Sequence, residues 1–249
     1  MITFEPLATQ VGSTHRSRMH VLVVTTSHDH LGNSGRKTGL CLESFAIGYY
    51  ACLDAGFDVV VCSPLGGAAP IDPLSGDRQA ASAIVRRFNA DPAARADLSD
   101  ALMLSEICAA DFGAAYYCDG RGALWDLATN PDSRSLIAQL HRSGRPCAFV
   151  GHGAAALLPL RGHDGAPLVA GRRLTAPKRE EDTALGLPAG APSLETDLTA
   201  LGACYVAGPN GMPHLVQDGG WITGQNASSS DAVARTLISA VSSTAFEKL

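Results

Sequence analysis

Two hydrophobic periods alternate along this chain. From Met19 to Ser27 (MHVLVVTTS) runs a block of β-branched and aliphatic residues without polar alternation, the pattern of a parallel strand covered on both faces. After a polar loop, TGLCLESFAIGYYACLDAG carries apolar residues at helical spacing and closes at Gly56, a residue suited to a helix C-terminus, before the next β-branched run, FDVVVCSP. These segments predict one β-α-β unit. The alanine-rich stretch from Asp77 to Asp100 predicts one or two helices, AAYYC a short strand at Ala114 to Cys118, and SRSLIAQLHRSG a helix. PCAFVG predicts the next strand, with a further helix starting near His152.

Strand and helix patterns thus alternate as far as about Leu160, which predicts an α/β fold with a doubly wound, mostly parallel sheet and helices on both faces. Ligands of such sheets bind at the carboxyl ends of the strands. From Gly162 to Gly190 glycine, proline and charge dominate, predicting loops and short strands laid over that edge. HLVQDGGWITG predicts a hairpin turning at Asp218, Gly219 and Gly220, and Ser230 to Val241 a closing helix. No internal repeat or linker divides the pattern, so residues 19–249 are expected to form one domain behind a flexible N-terminal arm, residues 1–18.

Composition narrows the partners. Hydrophobic residues make up 46% of the 249 residues, enough for a sizeable core, and the net charge is -5 with no long basic run, which argues against a nucleic-acid binder. The expected partner is a small molecule. The apolar stretches, such as Val21 to Val24, are strand-sized and fall short of the roughly 20 residues of a membrane helix. The N-terminal arm carries His15, Arg16 and Arg18 without the apolar core of a signal peptide, so a cytoplasmic location and no membrane contact are expected. Seven cysteines form no CxxC pair and read mostly as small apolar residues. His28, Asp29 and His30 have a metal-like look but stand in a loop, and neither a metal nor a cofactor is expected.

The chemistry centres on CAFVGHGAAALL, residues 147–158. A strand-type run ends in Gly-His-Gly and passes into a helical pattern, as α/β enzymes present a nucleophile on a strained turn, yet Gly151 stands at the tip. Glycine populates positive φ at little cost, so such a turn survives without its nucleophile.

TTSHDHLGNSGRKTGLCLESF, GRGALWDL, CAFVGHGAAAL and WITGQN, in this order from about Met19 to the C-terminus, resemble the ThiJ/PfpI (DJ-1) superfamily, and within it the heat-shock chaperone and glyoxalase III branch. The resemblance implies a class I glutamine amidotransferase-like, flavodoxin-like sandwich. It implies that Gly151 stands where the family has a cysteine, that Glu43 matches a glutamate beside that sulfur, and that His152 matches the histidine after it. Glu181, or alternatively Glu180, would match an acidic residue that orients the histidine. In the facing loop the family pattern Pro-Gly-Gly-His-Gly is replaced by Cys118, Asp119, Gly120, Arg121 and Gly122, with Trp125 keeping the pattern that follows. Family members commonly form homodimers, which is carried over as an expectation.

Each site residue has two readings. Glu43 is either a solvated helix-start carboxylate or a general acid/base; His152 is either a core histidine or a proton shuttle. Asp119 and Arg121 are either a surface turn pair or pocket groups, Arg121 holding a substrate oxygen and Asp119 taking a proton. Cys118 is either a strand-end thiol or a relocated nucleophile. With no thiol at Gly151, the expected activity is cofactor-independent acid/base chemistry on a small carbonyl or electrophilic metabolite: hydration, dehydration, isomerisation or ring closure. Glu43 and His152 would act on the substrate, and amides near Gly120, Gly151 and His152 would hold an oxyanion. The alternatives are a catalytically silent chaperone-like or ligand-binding homologue and, more weakly, a Cys118-dependent glyoxalase- or hydrolase-type enzyme.

Overall fold

The computed structural model describes residues 19–75 and 82–246. The predicted N-terminal arm and the first residues of the stretch from Asp77 lie outside them. The unalternating run after Met19 forms β1 (His20–Val24), followed by helix α1 (Leu42–Asp54) and β2 (Asp58–Ser63). The alanine-rich stretch gives two helices, α2 (Ala83–Ala90) and α3 (Pro92–Ser99), divided where Asp91 caps α3 by accepting from the amides of Ala93 and Ala94. Then come β3 (Leu102–Met103), β4 (Phe112–Tyr117), α4 (Pro131–Arg142) and β5 (Cys147–Val150).

The excursion carries β6 (Arg173–Leu174), β7 (Cys204–Tyr205) and two short helices, α5 (Arg179–Ala184) and α6 (Leu194–Ala200). The hairpin is β8 (Leu215–Asp218) with β9 (Trp221–Gly224), and α7 (Ser230–Phe246) closes the chain. Among the described residues the main sheet has the order β3-β2-β1-β4-β5-β9-β8, parallel throughout except for the β8–β9 hairpin.

Consecutive side chains of β1 serve opposite layers. Val21 and Val23 join Phe45 and Tyr49 of α1 and Val233 and Leu237 of α7, while Leu22 and Val24 join Ile137 and Leu140 of α4. Burial on both faces is why this strand shows no polar alternation. The chain crosses from β2 on one side of β1 to β4 on the other, so the carboxyl ends of β1, β4 and β5 form a topological switch point.

Two expectations need correction. The residues after Gly151 do not start an α-helix; Gly151–Leu157 is a wholly buried 3-10 segment. It lies so close to the end of β4 that a Cβ on Gly153 would stand 2.6 Å from the carbonyl oxygen of Cys118. The loop excursion also contains α5, because Glu181 reaches back to accept from the amide of Lys178 and starts a helical turn.

Candidate functional site

At the carboxyl end of β5 the chain turns through Gly151 with φ +51°, in the left-handed region that favours glycine. The space beside it is taken. A Cβ built on Gly151 would lie 2.2 Å from Oδ1 and 2.3 Å from Cγ of Asp119, so the carboxylate from the facing loop fills the volume that an elbow side chain would need. Asp119 is held there by the start of α1: its carbonyl accepts from the amide of Cys41 (2.9 Å), and its own amide donates to the Ser44 hydroxyl (3.0 Å). Gly120 is required by the same stitch, since a Cβ there would stand 2.7 Å from the carbonyl oxygen of Gly39.

His152 is clamped between two carboxylates. Its amide and its Nδ1 both approach Asp119 Oδ1, at 2.8 and 3.0 Å, and its Nε2 lies 2.8 Å from Asp182 Oδ1. A neutral imidazole can donate from one ring nitrogen only, whereas imidazolium donates from both. Burial alone would drive the charge off the ring, but the bonds to Asp119 and Asp182 outweigh it and push the His152 pKa up to about 10. Burial likewise opposes the charge on Asp119, and the His152 bonds overcome it and hold that carboxyl below its usual range. The result is a buried Asp-His-Asp ion group at the elbow.

This geometry revises three expectations. His152 is not poised as a proton shuttle, because its ring stays charged around neutral pH. The carboxylate that orients it is Asp182, one residue beyond the expected Glu181, because α5 turns the Asp182 side chain towards His152. Glu181 instead binds neutral donors: the amides of Lys178 and Gly211 and the side chains of Gln225 and Asn226. The elbow amide of His152 is occupied by Asp119, so it does not offer itself to an oxyanion.

Arg121 pairs with Asp72 and not with Asp119. Its Nε and Nη2 donate to the two oxygens of Asp72 at 2.8 and 2.7 Å, and its Nη1 donates to the carbonyl of Leu185 at 3.0 Å. Both side chains are 6% exposed, so this is a buried bidentate bridge and no surface turn pair. Thr38 adds a hydroxyl bond to Asp72.

Cys118 follows β4 and is buried, and burial, with the Cys41 thiol and Asp119 nearby, pushes its thiol well above the ordinary range. This environment disfavours a thiolate nucleophile at that position. Trp125 is not among the residues that line the two cavities; its ring stacks on His28 with centroids 5.4 Å apart. Asp29 pairs with Lys37, and among the described residues no group of three or more His, Cys, Asp or Glu side chains is placed to hold a metal.

A cavity of about 230 Å³ opens over this floor, walled by Glu43, Cys41, Ser75, Asp72, Gly120 and Arg121. Glu43 reaches it from the first turn of α1, half-buried. A second cavity of about 390 Å³ lies beyond, walled by Pro177, Glu180, Glu181, Asn210 and Asn226, and shares Asp119, His152, Leu185, Ala227 and Ser228 with the first. The sequence pattern singled out neither Asp182 nor Asp72. Asp182 sits in the charged run KREED and Asp72 in a proline-rich loop, where an acidic residue ordinarily faces solvent.

No family model matches the chain. The glutamine amidotransferase-like class 1 domain-containing protein 1 of Bos taurus is 29% identical over 206 residues, 82% of this chain and 90% of that protein. The Rapid Encystment Protein 24 kDa of Francisella tularensis superposes with a TM-score of 0.85 at 28% identity, over 90% of this chain and 99% of its own. Glyoxalase III of Candida albicans superposes at 0.81 with 22% identity, over 89% and 97%. Proteins described as ThiJ/PfpI and DJ-1 share the fold at lower identity. The chain has the fold of the ThiJ/PfpI and DJ-1 proteins. Its mostly parallel sheet carries the strand-to-turn junction at Gly151, with a carboxylate from the facing loop filling the elbow.

Proposed function

We propose that this chain, with its ThiJ/PfpI-like fold, is an enzyme of the non-covalent kind, running acid/base chemistry on a small carbonyl or electrophilic metabolite without a cofactor. The observation that carries the reading is the Gly151–Asp119 contact: no side chain fits at the elbow while Asp119 stands there, so a covalent thiol adduct at that point has no place to form. Glu43, lining the cavity from the start of α1, is the general acid/base. His152 serves as a fixed cation that holds Asp119, with Asp182 positioning it. Hydration, dehydration, isomerisation and ring closure all fit a proton-transferring carboxylate; glyoxalase chemistry through an elbow cysteine does not. A cytoplasmic homodimer is part of the proposal, and no helix among the described residues is long and apolar enough to cross a membrane.

The test is turnover of small carbonyl compounds, methylglyoxal first, followed by proton NMR for the native protein and Glu43→Gln. Loss of a positioned acid/base should lower kcat by about 10²- to 10⁴-fold. Equal turnover in both would remove Glu43 from the mechanism. A second reading, a ligand-binding homologue without turnover, draws on the same filled elbow, whose His152 amide already holds an anion. It predicts saturable binding with no chemical change in the bound compound.

A further inference from the structure

The two cavities meet at the Asp119–His152 pair. Asp119 and His152 form their common wall, with Leu185, Ala227 and Ser228, so a ligand that spans both compartments runs along a wall that includes the Asp119 carboxylate. The charges around that point do not cancel. Arg121 is matched by Asp72 through two short bonds, whereas the single positive charge of His152 faces two carboxylates, Asp119 and Asp182. Of these two, Asp119 keeps 12% of its side chain exposed and Asp182 only 7%. In the second compartment Glu181, 8% exposed, is bound by amide groups alone, and among the described residues no cation pairs with it.

The elbow also lacks what an anion would need. The His152 amide, the donor that would face a developing oxyanion there, is spent on Asp119. An anionic ligand would have to displace that carboxylate or lie against it in a partly desolvated cavity, where like charges repel more than in water. A primary ammonium group meets the opposite situation: Asp119 and Glu181 offer negative charge, Leu185 and Ala227 line both compartments, and Pro177 and Ala184 add carbon-lined wall in the second for a short chain.

We infer that the two compartments form one bipartite site that binds a small amine, its ammonium group seated against Asp119 and its chain reaching towards Glu181. This rests on the proposed reading that the cavity over Asp119 is the active one, and it narrows the substrate class to carbonyl or imine compounds carrying an amine.

Three probes of one length separate the charges: putrescine, 1,4-butanediol and succinate, each titrated into the native protein by calorimetry near pH 7.5. Putrescine should bind at least about tenfold more tightly than the other two, the equivalent of one modest ion pair, and its affinity should fall as sodium chloride is raised. Asp119→Asn should weaken it by about tenfold or more, and Glu181→Gln, which keeps an amide oxygen for its donors, by several-fold. If Asp119→Asn does not fold, Glu181→Gln with the salt series decides. Binding of succinate in preference to putrescine, no binding of putrescine, or binding indifferent to Glu181→Gln and salt would overturn the inference. Because the readout is binding, it can fail while Glu43→Gln still abolishes turnover, and the reverse result is equally distinguishable.

Discussion

Two buried ion groups stand a few residues apart in this protein and differ in their charge balance. Arg121 and Asp72 form a one-to-one bidentate bridge, further bonded by Thr38 and by the Leu185 carbonyl, with both side chains 6% exposed. Asp119, His152 and Asp182 form a two-to-one group that leaves Asp119 on the wall of both cavities. Matched, saturated charge is a fastening: it fixes the excursion at Leu185 over the sheet edge. Unmatched charge at a cavity wall is costly to bury and is balanced only when something enters. The difference teaches which of the two groups to look to for function, although both came from the same short loop, Cys118 to Gly122.

The comparison breaks most visibly at the matched pair. Arg121→Met leaves Asp72 buried without its cation and should destabilise the fold by about 3–5 kcal/mol, whereas Arg121→Met with Asp72→Leu should recover much of that loss, as replaced buried pairs do; urea denaturation measures both. At the unmatched group, Asp182→Asn keeps the shape but removes one charge, and should cost about 1–3 kcal/mol. It should also bring the His152 pKa down from about 10, followed by NMR titration of the ring.

The third prediction concerns pH. Because folding raises the His152 pKa from 6.5 to about 10, its stabilisation is complete below about pH 6.5 and drains away as pH rises towards 10. Stability should therefore decline between about pH 7 and 9, before buried tyrosines titrate, and His152→Gln should lack that part of the slope. The smallest effects sharpen the comparison from outside: iodoacetamide should label the exposed Cys108 and Cys204 and leave buried Cys118 unmodified. Trp125→Phe, away from both cavities, should leave putrescine affinity unchanged.

The order of strands and helices was legible because both-face burial writes unbroken apolar runs, as at Val21 to Val24, and because turns such as Gly219 mark a hairpin. Glu43 and the Asp119 loop were legible through motif position. The partners of the charges were not. Whether Glu181 or Asp182 meets His152 depends on the rotation of a six-residue helix, and a one-residue step in α5 turns a side chain by about 100°. The bridge of Arg121 to Asp72 spans 49 positions, a distance over which a charge pattern says nothing about pairing. The protonation of His152 likewise needed both carboxylates in view, since either one alone leaves a neutral tautomer possible.

The account turns on one contact, Asp119 filling the space at Gly151, and a double-mutant cycle tests it most directly. Folding free energies of the native protein, Gly151→Ala, Asp119→Gly and the double variant isolate the coupling of the two positions. If the carboxylate occupies the elbow volume, Gly151→Ala is strongly destabilising alone and much less so beside Asp119→Gly, with a coupling above about 1 kcal/mol. Additive effects, within about 0.5 kcal/mol, would mean that the two residues do not share that space and would contradict the account.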